Sequence, residues 1–222
     1  MTTTAGTTYG NMIFNTSTPT GSVVLFSTGS PMQKIAGNMT VTNFGTGALQ
    51  LISSGGTNIL AIDGDYTQEG GVVLMNPSSQ AATTFRPMAV KGNFTLNGGT
   101  FRISSNTANC YLIVKGNFAI NNNSNIENAG ETNASGAAYI HLAGANTTFT
   151  RSASSTITAT VGNKINFVIN SGTAVNINDN CTIDGGSNVT FTTSAAYTSP
   201  TIIGSTTSAS HLVTVTNSAS LV

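Results

Sequence analysis

A glycine recurs along the chain at nearly constant spacing, and this repeat constrains the fold more than any other feature. The intervals between successive members of the series are 27, 27, 28, 24, 28 and 28 residues. Most of these glycines precede a small polar residue and lie between two apolar stretches. The series consists of Gly10, Gly37, Gly64, Gly92, Gly116, Gly144 and Gly172. Such a period indicates one structural unit that is stacked many times.

Apolar and polar residues alternate on both sides of each glycine, which is the pattern of short strands. Around Gly92 this alternation covers residues 88–96. A third apolar cluster completes each unit, so a repeat of about 27 residues contains three short strands. We therefore predict an all-β fold, namely a single parallel β-helix (solenoid) in which each repeat forms one coil. We expect the coil to be right-handed.

The repeats extend over most of the chain and predict one domain over residues 1–222 with seven to eight coils. Residues 198–222 keep strand character without a corner glycine, and we expect an irregular last coil or a cap there. After Gly144 and Gly172 the apolar residues are displaced by an odd number of positions, which predicts a one-residue insertion at those corners. We expect segments 76–87 and 127–138 to be protruding loops.

Stacked coils place equivalent residues above one another, so the repeat also predicts columns of side chains. The glycines would form a column of corners, where glycine is favoured because it adopts positive φ freely. The next residue would form a polar column whose side-chain amides hydrogen-bond to each other along the axis. This column consists of Asn11, Asn38, Asp65, Asn93 and Asn117. The residue after that would form an inward apolar stack that consists of Met12, Met39, Tyr66, Phe94 and Phe118.

The composition excludes several classes of function. The chain has seven basic and seven acidic side chains among 222 residues, so it offers no basic patch for nucleic acid. No run of about 18 apolar residues that could span a membrane as a helix occurs. The two cysteines, Cys110 and Cys181, have no spacing typical of a zinc site and should lie on different faces, beyond the reach of a disulfide. We expect no cofactor and no metal.

Three acids form the only candidate for a catalytic site in the sequence. Asp63 and Asp65 flank Gly64, and Glu69 follows four residues later. Paired carboxylates can hydrolyse a glycosidic bond, and stacking would place Lys91 and Lys115 one and two coils above Asp63. The simpler interpretation is a solvated ridge in which Asp63 offsets the two lysines.

Two other features have simpler interpretations than a binding site. His141 alternates outward between two apolar residues, which predicts an exposed surface histidine. Threonines alternate on one strand face at 156, 158 and 160, but Thr40, Thr95 and Thr147 do not keep the phase that a regular ice-binding face requires.

Residues 89–101, Ala-Val-Lys-Gly-Asn-Phe-Thr-Leu-Asn-Gly-Gly-Thr-Phe, and the similar unit 112–120 carry a resemblance to known proteins. They resemble the repeats of large secreted and surface-anchored proteins of Bacteroidota over about residues 35–190. The resemblance implies an extracellular location and a fragment of a long stalk or adhesin, without indicating an enzymatic activity.

We therefore expect a non-enzymatic structural or adhesive segment of a bacterial surface protein, part of a longer exported chain or of a filament. Its expected partners are glycans or copies of itself. The alternative is a carbohydrate-active β-helix enzyme, a polysaccharide lyase or hydrolase, which would use Asp63 and Asp65.

Overall fold

The computed structural model describes residues 8–26, 32–52, 59–76, 87–104, 109–128, 137–159, 164–169, 174–177, 182–183, 189–193, 212–215 and 220–221. All elements in these residues are β-strands, and all strand pairs are parallel. Each of the three main sheets takes every third strand of the chain. The predicted parallel β-solenoid is thus confirmed.

Sheets A and B each contain eight described strands. Sheet A consists of β1 (Thr8–Tyr9), β4 (Met32–Ile35), β7 (Ile59–Ile62), β10 (Pro87–Val90), β13 (Cys110–Val114), β16 (Ala137–Leu142), β19 (Lys164–Ile169) and β22 (Val189–Thr193). Sheet B consists of β2 (Met12–Thr16), β5 (Met39–Phe44), β8 (Tyr66–Gln68), β11 (Phe94–Leu96), β14 (Phe118–Ile120), β17 (Asn146–Arg151), β20 (Ala174–Ile177) and β23 (Leu212–Val215).

Sheet C closes the tube with six described strands. It consists of β3 (Val23–Phe26), β6 (Ala48–Ile52), β9 (Val72–Asn76), β12 (Thr100–Ser104), β15 (Asn125–Asn128) and β18 (Thr156–Ala159). A two-stranded sheet pairs β21 (Thr182–Ile183) with β24 (Ser220–Leu221). Residues 198–222 were predicted to form a last coil or a cap, and the described strand β23 within them continues sheet B. The loops predicted at 76–87 and 127–138 lie mostly outside the described residues.

The inward stack that the repeat predicts is present in sheet B. Tyr66, Phe94 and Phe118 lie fully buried in successive coils, with ring centroids 4.9 and 5.1 Å apart and interplanar angles of 12° and 9°. Phe149 extends the stack, 5.3 Å from Phe118. Parallel register forces this geometry, because equivalent residues lie one strand spacing apart. Stacked aromatic pairs add about 0.5–1.5 kcal/mol each beyond the burial of their surface.

The column of glycines forms the corner between sheets A and B, but the reason we gave for glycine there is wrong. None of the described members of the series has positive φ. A Cβ atom built on Gly64 would instead lie 2.8 Å from the carbonyl oxygen of Gly37 and would overlap Oδ1 of Asn38. Glycine is thus required because the coils approach each other closely at this corner. Gly172 lies outside the described residues.

Positive φ occurs at the other corner, between sheets B and C. Gly45, Gly71 and Gly99 have φ values of 57°, 76° and 75°. In the following coil, Asn122 and Asn123 adopt φ values of 51° and 59°. The left-handed conformation thus recurs at this corner, and asparagine replaces glycine in one coil because it tolerates that conformation best among the other residues.

The insertion predicted at the corner after Gly144 is larger than expected. Val114 pairs with Leu142, and Phe118 pairs with Phe149, so four residues in one coil correspond to seven in the next. The corner therefore contains three additional residues instead of one. An insertion of three residues shifts the alternation of inward and outward side chains in the same way as an insertion of one, because both numbers are odd. The sequence pattern therefore did not distinguish the two lengths.

Candidate functional site

The polar column beside the glycines forms a continuous ladder, although its hydrogen bonds differ from those we predicted. Oδ1 of Asn11 accepts a hydrogen bond from the backbone N–H of Asn38 at 2.8 Å, and Oδ1 of Asn38 accepts one from Asp65 at 2.9 Å. The same bond recurs from Asn93 to Asp65 at 2.7 Å and from Asn117 to Asn93 at 2.9 Å. The ladder thus links each side chain to the backbone of the next coil, and not amide to amide.

The last bond of this ladder spans the corner after Gly144, which contains three additional residues. Oδ1 of Asn117 accepts a hydrogen bond from the backbone N–H of Thr148 at 2.9 Å. Thr148 thus takes the position that asparagine or aspartate holds in the preceding coils, four residues after Gly144 instead of one. The ladder needs only an acceptor on one coil and a backbone N–H on the next, so Asp65 can replace asparagine within it.

A second ladder, which we did not predict, occurs at the corner between sheets B and C. Nδ2 of Asn97 donates to Oε1 of Glu69 at 3.1 Å, and Nδ2 of Asn121 donates to Oδ1 of Asn97 at 3.1 Å. Here the side chains do bond to each other along the axis. The signal in the sequence is the 24-residue spacing of Asn97 and Asn121, which equals that of Gly92 and Gly116.

Each of the three acids of the candidate catalytic site has a partner that links neighbouring coils. Asp63 forms ion pairs with Lys34 at 2.7 Å and with Lys91 at 2.5 Å, so the pair of lysines differs from the predicted Lys91 and Lys115. Asp65 belongs to the first ladder and Glu69 to the second. The three carboxylates therefore lie in three separate columns of contacts.

The electrostatics of this ridge do not favour proton donation by Asp63. The hydrogen bonds from Lys34 and Lys91 hold the pKa of the Asp63 carboxyl below its usual value, against a smaller opposing effect of burial. A general acid requires a raised pKa, since it must keep its proton near neutral pH. Burial, together with the charge of Lys91, lowers the pKa of Lys115 in the next coil.

His141 is buried, so its predicted exposure is wrong. It lies on the outer face of sheet A, as the alternation indicated, but only 4% of its surface is exposed. Its neighbours in that column are buried as well, and they are Ala61, Ala89, Ile113 and Val168. Outward alternation therefore does not imply exposure on sheet A. Tyr111 and Tyr139, stacked at 5.0 Å, lie beside His141 on the same face.

The threonines on sheet B are arranged more regularly in the structure than their spacing in the sequence suggested. Thr40, Thr67 and Thr95 lie in register on the outer face of sheet B, and all three are half-buried. Ala119 and Thr150 continue the column. Thr147 is fully buried and Thr156 lies in sheet C, so these two belong to different surfaces. A matching pair of threonines in every coil is still absent from the described coils.

The side chains that could ligate a metal ion are dispersed in the described part of the chain. Within it, no three His, Cys, Asp or Glu residues are grouped closely enough to hold a metal ion. Cys110 is buried, whereas Cys181 lies outside the described residues. Among the described elements there is no helix long and apolar enough to cross a membrane.

Comparison with known proteins gave no relative that would assign a function. No family model matches the chain, and no curated protein or solved structure matches it significantly.

Proposed function

We propose that this chain is a non-enzymatic structural and adhesive segment of an extracellular bacterial surface protein, part of a longer exported chain or of a filament. The observation that carries the proposal is the use of the polar side chains at the corners. Asn38, Asp65 and Asn93 each bond to the next coil, and Glu69 and Asn97 belong to a second ladder along the same axis. Side chains used in this way hold the coils in register, and the coils then form a stiff tube.

The composition and the repeat support a location outside the cell. Thr, Asn, Gly and Ser, with 37, 26, 24 and 24 residues, make up half of the chain, as is common in bacterial surface proteins. The repeat unit at 89–101 resembles those of secreted and surface-anchored proteins of Bacteroidota. A nearly uncharged surface would adhere through hydrogen bonds, which suits glycans or a second copy of the chain.

The first coil has features that support self-association. Strands β1, β2 and β3 are the terminal strands of sheets A, B and C, so one edge of each has no strand partner among the described residues. Val23 pairs with the buried Leu49 and thus belongs to an interior column, yet 47% of its surface is exposed. Open edges of this kind are templates for further strands. Head-to-tail stacking of copies would cover both features.

Two assays separate this proposal from the carbohydrate-active alternative. A panel of polysaccharides is screened for binding and, by release of reducing sugars or of unsaturated ends, for turnover. We expect no turnover by the wild-type chain, and glycan binding that is retained when Asp63→Asn and Asp65→Asn are tested. Turnover that these substitutions abolish would establish the enzyme instead.

Self-association is tested by light scattering over a range of protein concentrations. We expect the mass of the wild-type particle to rise with concentration and the variant Val23→Lys to remain smaller, because a charge at the open end opposes stacking. A wild-type chain that stays monomeric at high concentration would contradict self-association.

A further inference from the structure

The corner between sheets B and C is unusually wide in the first coil. Six residues, 17–22, separate β2 from β3, whereas three residues, 45–47, separate β5 from β6 in the second coil. The wide corner lies directly against the next one, because the backbone N–H of Gly47 donates to the carbonyl oxygen of Pro19 at 2.8 Å. A Cβ on Gly47 would overlap the carbonyl oxygen of Gly21, so glycine is needed for this close approach.

A shallow groove of about 260 Å³ begins at this wide corner. Its lining comprises residues 20–22 of the first coil, 46–48 of the second, Val72 of the third and Arg102 of the fourth. Three strand spacings separate the first coil from the fourth, so the groove follows the axis for roughly 14 Å. Ala48 and Val72, which pair with each other at the start of β6 and β9, contribute its apolar lining.

Among the described residues that line the groove, Arg102 alone is charged. Its Nε and Nη2 atoms both lie 2.5 Å from Oε1 of Glu127, and Nδ2 of Asn125 donates to the other carboxylate oxygen at 3.2 Å. A guanidinium group has five N–H donors, so this pair leaves Arg102 further donors for a ligand. Because Glu127 offsets its charge, the groove has polar donors without a net positive charge.

We propose that this groove binds a neutral, hydroxyl-rich saccharide unit at the end or in the chain of a glycan. The hydroxyl groups of Thr20, Ser22 and Thr46 and the donors of Arg102 provide hydrogen bonds for sugar hydroxyls. The methyl groups of Ala48 and Val72 provide an apolar surface for the C–H face of a sugar ring. The volume lies just below the usual range of roughly 300–1,000 Å³ for ligand pockets, so the site accepts a small unit.

This inference rests on the proposed adhesive function and assigns the glycan contact to one place on the solenoid. The matched substitutions Ala48→Phe and Ala119→Phe test it. Both alanines are half-buried on the outer face of a strand, but only Ala48 lines the groove, whereas Ala119 lies in sheet B. A phenylalanine ring at residue 48 would fill the groove without entering the core.

Binding is measured by titration calorimetry with neutral oligosaccharides of glucose, galactose, mannose and N-acetylglucosamine, and with an oligogalacturonate as the acidic comparison. We expect a neutral sugar to bind the wild type and Ala119→Phe equally, and Ala48→Phe to lose at least tenfold in affinity. Equal binding by both variants would overturn the groove as the site but leave adhesion elsewhere intact. Absence of binding to every sugar would overturn the inference together with glycan adhesion.

A second variant, Arg102→Lys, tests the role of the guanidinium group. The lysine retains the positive charge opposite Glu127 but lacks the planar set of donors. We expect about tenfold weaker binding of the neutral sugar, with an unchanged circular dichroism spectrum and little dependence on salt. Preference for oligogalacturonate with a strong salt dependence would contradict the neutral ligand class.

Discussion

The side chain of Asn38 accepts a hydrogen bond from the backbone N–H of Asp65, one coil further along the axis, at 2.9 Å. This contact joins residues 27 positions apart and repeats with the same geometry at neighbouring coils. It depends on the oxygen of the side chain and not on its nitrogen. The ladder thereby converts a local sequence repeat into a link between coils.

The first prediction concerns this acceptor. Asn38→Ala removes it and leaves the N–H of Asp65 to water, so we expect a loss of about 0.5–1.5 kcal/mol in the free energy of unfolding. Asn38→Asp keeps an acceptor at the same place, as Asp65 does naturally, and should cost much less. Urea denaturation measures both variants, and equal losses would contradict the role of the oxygen.

The second prediction concerns the close approach at the glycine corner. A Cβ on Gly64 meets the backbone of Gly37, which cannot yield easily, so Gly64→Ala should destabilise the chain by about 1–3 kcal/mol. Gly10→Ala is the matched control, because no atom lies within 4 Å of a Cβ built there. Thermal unfolding should separate the two variants clearly. Similar melting temperatures would show that coil spacing does not select glycine.

The third prediction concerns a polar contact inside the tube. The hydroxyl of Tyr66 donates to Oε1 of Gln68 at 3.0 Å, and Nε2 of Gln68 donates to the carbonyl oxygens of Gly71 and Thr100 at 3.1 and 3.2 Å. Both side chains are fully buried. Tyr66→Phe leaves the amide oxygen without its donor and should cost about 1–3 kcal/mol.

A double-mutant cycle isolates this contact. Gln68→Leu combined with Tyr66→Phe removes both partners, and the double variant should be less destabilised than the sum of the two single variants. Leucine is a reasonable replacement, because Leu96 occupies the same column in the next coil. Additive losses in denaturant unfolding would mean that the hydroxyl and the amide act independently.

The fourth prediction concerns pH. Ion pairing lowers the pKa of Asp63 in the folded chain from the ordinary 3.8, so the pair stabilises the fold above that value and loses its effect as pH falls through the lower, folded-state pKa. The groups are partly exposed, so we expect a contribution of at most about 1 kcal/mol at low salt. Asp63→Asn should be less stable than the wild type at neutral pH.

The comparison is made by unfolding both chains at neutral pH and near pH 2, with and without added salt. The difference between wild type and Asp63→Asn should shrink in acid and in high salt, since protonation and screening weaken the same ion pairs. A difference that stays constant across these conditions would exclude ion pairing as its cause.

The glycine repeat was sufficient to predict the architecture because it indicates both the length of a coil and the face of each strand that points inward. The period of the glycines gives the length of a coil, and the alternation around residues such as Phe94 and Phe118 gives the inward face. Parallel register follows, because equivalent apolar residues can then stack. The sequence therefore predicted the aromatic column and the acceptors of the first ladder at the correct positions.

Other features depend on contacts between residues that the spacing of the repeat does not predict. His141 alternates outward, but its burial depends on what lies over sheet A, which the pattern of its own strand does not contain. The corner after Gly144 contains three additional residues, a number that parity cannot distinguish from one. Asp63 pairs with Lys34, although Lys34 belongs to strand β4 and does not lie in the corner column that contains Asp63.

Cross-linking tests the in-register stacking of parallel coils most directly. Thr67 and Thr95 are register partners in adjacent strands of sheet B, so cysteines at these positions should oxidise to an intramolecular disulfide. Cysteines at Thr40 and Thr95 are two strand spacings apart, roughly 10 Å, and should stay reduced. Peptide mass spectrometry identifies the bond in each case. We predict the bond between 67 and 95 alone, and its absence or its formation between 40 and 95 would contradict the stacked solenoid.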